Sequence, residues 1–416
     1  MRIICYRRLL AVMALSLLSV MWGTGEVLSG EPYNLGVALG LTGSGATYSE
    51  DGVDAIRLAV EAINSKGGFL GKHPVKLFVR DTKTKPDEAV RQTEELIKTD
   101  RVRAVLGTYS SACALAIKPI CREAKVLHIA AISNSEDITR KDFSPYTFSV
   151  VPNTYMQAKA VALGVAKLAK EKGWITYCTI ASDYAWGRSA QENTVRQLKE
   201  LAPRLKLIRS YWPPLGEKRF DGFVMGVLAH KPDCLIGFLA GSDNAAWIKW
   251  AEKYELFRRV PYPGSLVSVT ELVAGAETLP RGMIGLTRAP FFCCQDVPMM
   301  SDFVKKFRAK YKRYPSDWAV LEYDAVYALK QGIEKAGNID SDKVKDAMKG
   351  MTVETCRGDL FFRKIDNQLS CSSYLGVVND SSEYPFPIYS PLWEIKGPES
   401  WRPEEEIVGA RKNRTN

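Results

Sequence analysis

From Tyr33 onward, short apolar runs alternate with amphipathic stretches, and this alternation restricts the possible folds more than any other feature. Residues 33–41 (YNLGVALGL) read as a strand, followed by a Gly-rich loop and a helix with Val53, Ile56, Val60 and Ile63 on one face. Ser49 is expected to cap that helix, Glu50 and Asp51 suit its positive end, and Gly67-Gly68 stops it. Strands at 75–80, 102–107 and 126–132 then alternate with a helix opening at Pro86 and another over about 111–124. Near-continuous apolar strands between amphipathic helices predict an α/β fold whose parallel sheet is covered on both faces.

Around Val150-Val151-Pro152-Asn153 the pattern restarts. Helices are expected over about 154–172, 185–201, 218–230 and 243–256, with strands at 174–181, 205–211 and 233–240. A chain of 416 residues exceeds what one hydrophobic core sustains, roughly 250–300 residues. Two doubly wound units joined near residue 151 therefore imply two lobes that share the remaining chain. The tail after Trp401 reads as a solvated extension.

Composition excludes several classes. Charged residues make up 25% and hydrophobic residues 46% of the chain, so wholesale disorder is not expected. The net charge of +10 is scattered, with no basic run and no aromatic ribonucleoprotein box, which speaks against nucleic acid. No internal apolar run is long enough for a multi-span membrane protein. At the N-terminus, Arg2, Arg7 and Arg8 precede an apolar run from Leu9 to Trp22 and then small and polar residues through Gly30. This is the pattern of a cleavable secretory signal over residues 1–29, so the mature protein is expected in the periplasm.

Eight cysteines remain once Cys5 is removed with that signal, in a compartment that permits disulfides. Cys356 and Cys371 flank a turn-rich stretch and could staple it, and Cys178 and Cys234 lie in two apolar runs that could be neighbouring strands. Cys113 and Cys121 share one predicted helix, too far apart to bridge. No CxxC or paired Cys/His spacing suggests a metal site.

Catalysis finds little support. The three histidines, His73, His128 and His230, form no HExxH pattern and stand beside no candidate nucleophile. GGFLGKH at 67–73 has the wrong spacer for a phosphate loop, and Gly40, Gly43 and Gly45 do not make GxGxxG. No catalytic residue and no cofactor is expected. A binding site is better supported, because ligands collect beyond the carboxyl ends of strands in open α/β sheets. At such ends stand Tyr109-Ser110-Ser111, Ser133-Asn134-Ser135, the run Asp183–Gly187 with Trp186, and Gly241-Ser242-Asp243.

The segments GLTGSGATYSEDGVDAIRLAVEAINSKGG, DTKTKPDEAVRQTEELI, VLGTYSSACALA, SDYAWGRS and RYPSDWAVLEYDAVYALKQGIEKAG appear in an informative order. In that order and spacing, from about Tyr33 to Trp401, the chain resembles periplasmic substrate-binding proteins of the branched-chain amino acid (leucine/isoleucine/valine) type. The resemblance implies the type I periplasmic binding protein fold, with two Rossmann-like lobes joined by a three-stranded hinge. One lobe would hold residues 31–150 and 265–373, the other 151–264 and 374–400, with 401–416 as a tail. It also implies a ligand set: Ser111 for an α-carboxylate with Tyr109 and Ser110 beside it, Ser133 and Ser135 completing the clamp, and Tyr48 as a pocket aromatic. Trp186 would stand where the family usually has Tyr, and Asp243 would hold an ammonium in place of a Glu. The expected protein is a monomeric importer component that captures a small carboxylate by hinge closure and presents it to ABC transporter permease subunits. An amino acid is the first expectation. An amide, urea or aromatic acid is the alternative, as is a ligand-sensing domain of the same fold.

Overall fold

The computed structural model describes residues 30–412, so the expected signal peptide lies outside the described residues. Five parallel strands come first: β1 (Tyr33–Leu39), β2 (Val75–Asp81), β3 (Ala104–Gly107), β4 (Leu127–Ala130) and β5 (Thr147–Ser149). They stand in the order β2-β1-β3-β4-β5. Helices α1 (Ala46–Asn64), α2 (Pro86–Lys98) and α3 (Ser111–Glu123) make the crossovers. Strands β1, β3 and β4 are buried almost throughout, as a sheet covered on both faces requires.

Helix α4 (Thr154–Lys172) opens the second lobe, and its ends follow from local chemistry. Asn153 caps it by accepting from the Met156 N–H at 3.1 Å, Lys170 and Lys172 sit in the last turn, and Gly173 leaves in the left-handed region at φ 70°. The parallel sheet that follows has the order β7-β6-β8, from β6 (Thr176–Ala181), β7 (Lys206–Tyr211) and β8 (Cys234–Phe238). Helices α5 (Ala185–Leu201), α6 (Asp221–His230) and α7 (Gly241–Lys253) accompany it.

A further sheet corrects the expected lobe boundary. Strands β9 (Ser265–Leu266) and β10 (Ile284–Thr287) are parallel to each other, and β10 pairs antiparallel with β13 (Ser373–Asn379), which pairs with β14 (Ile388–Ile395). The Leu235 N–H of β8 donates to Pro261 O at 2.9 Å, so this sheet continues the β7-β6-β8 side of the molecule. Residues 265–287 thus keep company with 373–395, not with the first lobe, and the second crossing moves from about 265 to about 288. Beyond it, helices Pro298–Tyr311, Asp317–Ala336 and Ser341–Met348 and the hairpin β11 (Thr352–Thr355) with β12 (Gly358–Phe361) return to the first lobe. There the helix Asp317–Ala336 packs against α1.

Three segments cross between the lobes, near 150–153, 288–290 and 366–372. They are tied by buried polar groups. Arg357 pairs with Asp324 at 2.8 Å and donates to Val150 O at 2.8 Å. Gln368 donates to Val151 O at 2.8 Å, and Asn153 donates to Gln368 at 3.2 Å. Asp317 accepts the N–H groups of Val269, Arg288 and Ala289 at 2.9–3.0 Å and the hydroxyl of Thr287, which fixes the second crossing. Apart from the Arg357 Nη1, which has no partner, these buried groups are satisfied.

Three other expectations are corrected. The first helix starts at Ala46 through a 3-10 turn at Gly43–Gly45, so Ser49 lies inside it and caps nothing. The eight described cysteines are all free thiols. Cys178 pairs in register with Leu235 and Cys234 with Tyr177, so alternation along the strands turns their side chains to opposite faces. Cys356 Sγ approaches Met299 O while Cys371 Sγ faces Leu369 O, so that pair is also unbonded. Finally, the tail is docked: Arg402 is buried, donating to Glu136 at 2.7 and 2.8 Å and to Asn193 at 2.7 Å, and it leads into a helix, Glu404–Lys412. Among the described residues no helix is long and apolar enough to cross a membrane.

Candidate functional site

The carboxyl ends of β3, β4, β6, β8 and β10 converge on one small cavity between the lobes. The first lobe supplies Tyr48, Tyr109, Ser111 and Trp318, together with the loop Ile132-Ser133-Asn134. The second supplies Tyr184, Trp186 and Ala240, and the second crossing supplies Arg288. Its volume is about 10 Å³, room for roughly one water, so a larger molecule enters only when the lobes part.

Aromatic rings form the walls. Tyr48 stacks on Trp318 with centroids 4.3 Å apart, and Tyr109 meets Tyr48 edge-on at 5.8 Å. Facing them, Tyr184 and Trp186 lie 6.0 Å apart. The Arg288 guanidinium sits between the walls, 4.8 Å from the Trp318 ring and 5.7 Å from the Trp186 ring. It is 3% exposed, and burial pulls its pKa down to about 10. Its Nε donates to Gln157 at 3.2 Å, and no carboxylate within the described residues makes a salt bridge with it. A buried cation with no salt bridge is costly unless an anion joins it.

Polar atoms gather at the same place. Ser111 is the first residue of α3, and its Oγ accepts from the N–H groups of Asn134 (3.2 Å) and Ser135 (3.0 Å), which leaves its own proton to donate. The Ser133 hydroxyl, the Asn134 amide and the indole N–H groups of Trp186 and Trp318 are buried with no partner in the protein. Orphaned polar atoms are rare in protein interiors, and several around one cavity are what a ligand site requires.

Contacts across the cleft close it. Tyr48 accepts from the Gly241 N–H at 2.9 Å and donates to the Glu271 carboxylate. Glu271 is also held by the Ser268 N–H at 2.7 Å, and burial raises its pKa. Gly241 takes the left-handed region at φ 59°, and a Cβ there would stand 2.2 Å from Ser44 O on the other lobe.

A family model for periplasmic binding proteins matches residues 32–383. The chain belongs to the periplasmic binding protein family. A leucine-, isoleucine-, valine-, threonine- and alanine-binding protein of Pseudomonas aeruginosa is 22% identical, over 80% of this chain and 87% of its own. Among solved structures, a periplasmic binding protein of Burkholderia mallei has a TM-score of 0.80 at 22% identity, covering 90% of this chain and 97% of that one. A solute-binding protein of an ABC transporter from Rhodopseudomonas palustris, in complex with p-hydroxybenzoic acid, has a TM-score of 0.78 at 22% identity, covering 89% and 99%. At these identities the structures share the type I fold. The family is extracytoplasmic, binds small molecules and works with ABC transporter permeases.

The residues singled out in the sequence are distributed unevenly in this binding protein. Tyr48, Tyr109, Ser111, Ser133 and Trp186 line the cavity. Ser110 is buried beside it, and Ser135 faces a separate polar groove of about 390 Å³ with Arg140 and Arg188. Asp243 does not line the cavity. Its carboxylate accepts from the Gly216 N–H at 3.0 and 3.1 Å, from Ser182 at 3.2 Å and from Ser242 at 3.3 Å, and burial raises its pKa to about 6. It fastens a loop of its own lobe. Arg288 and Trp318 are not among the candidates that the sequence marks. Asn134 and Tyr184 sat inside flagged strand-end runs, and Trp318 inside the quoted RYPSDWAVL segment; Arg288 had only its place after an apolar strand as a signal.

Proposed function

We infer that this protein is the exported solute-binding component of an ABC importer and captures a small aromatic or other planar carboxylate rather than a zwitterionic amino acid. The carrying observation is Arg288, a buried guanidinium between two aromatic walls with no carboxylate bound to it. A guanidinium presents two parallel N–H donors that match a carboxylate. The Ser111 hydroxyl and the orphaned Ser133, Asn134 and indole donors supply further bonds to oxygen. An amino acid would need a free anion for its ammonium, and Asp243, the candidate from sequence, is engaged by Gly216 and Ser182. That a fold relative is described in complex with p-hydroxybenzoic acid supports the same reading. The carboxylate docks while the lobes are apart, and closure seats Tyr184 and Trp186 over the ring and makes the surface that a permease reads. The Arg-flanked apolar run at residues 9–22 supports export through a cleavable signal, and the expected working form is a monomer. Calorimetric titration with 4-hydroxybenzoate and with leucine tests the reading. Heat of binding for the aromatic acid is expected, and binding of leucine alone would overturn it.

A further inference from the structure

Beyond the cleft, the second crossing carries two adjacent cysteines that ligand capture does not use. After Arg288 the chain runs through Pro290 into a 3-10 turn at Phe291–Cys293, before the helix Pro298–Tyr311 begins. Phe291 is fully buried and stacks on Tyr314 at 5.3 Å, so the turn is anchored from one side. On the other side the Cys294 Sγ lies 3.8 Å from the hydroxyl of Tyr374, which stands opposite Thr287 where β10 and β13 pair. Neighbouring side chains on a turn ordinarily diverge. Here both point the same way, and the Cys293 and Cys294 sulfurs are 3.0 Å apart.

We propose that Cys293 and Cys294 are a redox-active vicinal dithiol that a small disulfide oxidant converts to an intramolecular disulfide. The sulfurs need to approach by about 1 Å to reach a bond length near 2.05 Å. Their shared proton also activates the pair: the S–H···S contact with Cys293 lowers the Cys294 thiol pKa and raises that of Cys293, so the first proton is lost more readily than from an isolated buried thiol. The buried Arg357 guanidinium favours that negative charge. Cys293 is the partly exposed member and Cys294 the buried one. Cys294 loses its proton to solvent, the Cys293 proton passes to the Cys294 sulfur across the 3.0 Å contact, and the Cys293 thiolate attacks one sulfur of the oxidant and releases the first thiol, leaving a mixed disulfide. Cys294 gives up its proton as it attacks the Cys293 sulfur, and the second thiol leaves. Two cysteine thiols are oxidised and one disulfide is reduced to two thiols, so the exchange balances. An extracytoplasmic compartment supplies such oxidants.

The test uses the whole protein and needs no ligand, so its outcome is independent of the binding assignment. After incubation with oxidised glutathione, the protein is alkylated and digested with trypsin. The peptide from Ala289 to Lys305 contains Cys293 and Cys294 and no other cysteine. It is expected to emerge unalkylated and lighter by two hydrogens, and doubly alkylated when dithiothreitol precedes the alkylation. In Cys294→Ser, which lacks the resolving thiol, Cys293 is expected to retain glutathione. A doubly alkylated peptide after oxidation, or one cross-linked to the peptide of Cys356 or Cys371, overturns the proposal. So does an adduct-free, alkylated Cys293 in the variant.

Discussion

The hydroxyl of Tyr48 accepts the Gly241 N–H at 2.9 Å and donates to the Glu271 carboxylate, so one side chain of the first lobe is held twice by the second. Tyr48 also stacks on Trp318 inside the cavity. The same ring therefore forms part of the ligand wall and of the closure contact. Ligand binding and lobe position are coupled through it.

Gly241 gives the most direct handle on closure. Alanine there occupies a left-handed conformation, costing about 1–2 kcal/mol, and its Cβ collides with Ser44 O only when the lobes are together. Gly241→Ala is expected to hold the protein open and weaken ligand affinity at least about tenfold, or roughly 1.4 kcal/mol. Small-angle scattering with and without ligand checks it: wild-type compaction in the variant would show that this contact does not gate closure.

Arg288→Met keeps the length and apolar stem of the side chain and removes the donors. Loss of a buried charge-assisted pair is expected to cost about 2–5 kcal/mol in carboxylate binding. Unchanged affinity with an intact circular dichroism spectrum would take the anion anchor away from Arg288.

For Asp243, the structure reverses the sequence expectation. Because its carboxylate holds the Gly216 loop, Asp243→Asn should leave ligand affinity within about threefold and lower stability, by around 1–3 kcal/mol for a compromised buried acceptor. Chemical denaturation and calorimetry on one preparation separate the two. A loss of ligand affinity of several kcal/mol would restore the ammonium role.

Glu322 predicts a pH dependence. It sits fully buried one turn beyond Trp318, its Cγ near Gly52, and neither carboxyl oxygen has a partner. Burial raises its pKa from 4.5 to about 8. The folded state then binds a proton that the unfolded state releases above pH 4.5, so this group's contribution to stability falls as pH rises through the window from 4.5 to about 8. Glu322→Gln is expected to flatten that decline, by up to a few kcal/mol between the two ends. Urea melts at pH 5 and pH 8 that decline equally in both proteins would contradict it.

Local signals carried the sequence reading where they sufficed. Helices α4 and α5 are legible in the sequence, 154–172 and 185–201, because the signals of a helix act within a few turns; in α4 these include the Asn153 cap and the terminal Gly173. The boundary at 265 failed for the opposite reason. Strand β9 has two residues, and β13, the partner that places its neighbour β10 in the second lobe, lies nearly a hundred residues on, where no local pattern announces it. Asp243 was located correctly at a helix start, yet its partner Gly216 comes from a distant loop. Arg288 was invisible because its meaning depends on two tryptophans on separate lobes.

The docking of Arg402 onto Glu136 and Asn193 bears on how the molecule is made. A chain threaded out of the cytoplasm N-terminus first completes its five-stranded sheet once Ser149 has emerged. The sheet of β9 and β10 must wait for residues 373–395, and the bond that draws both lobes together waits for Arg402. Until residues 373–379 clear the translocation channel, the half-built protein displays an unpaired β10 edge, a surface on which holding chaperones act. Assembly of the hinge is therefore a final event in export, and nascent chains stalled before Ser373 should be cut by protease within 265–287 while residues 33–149 resist.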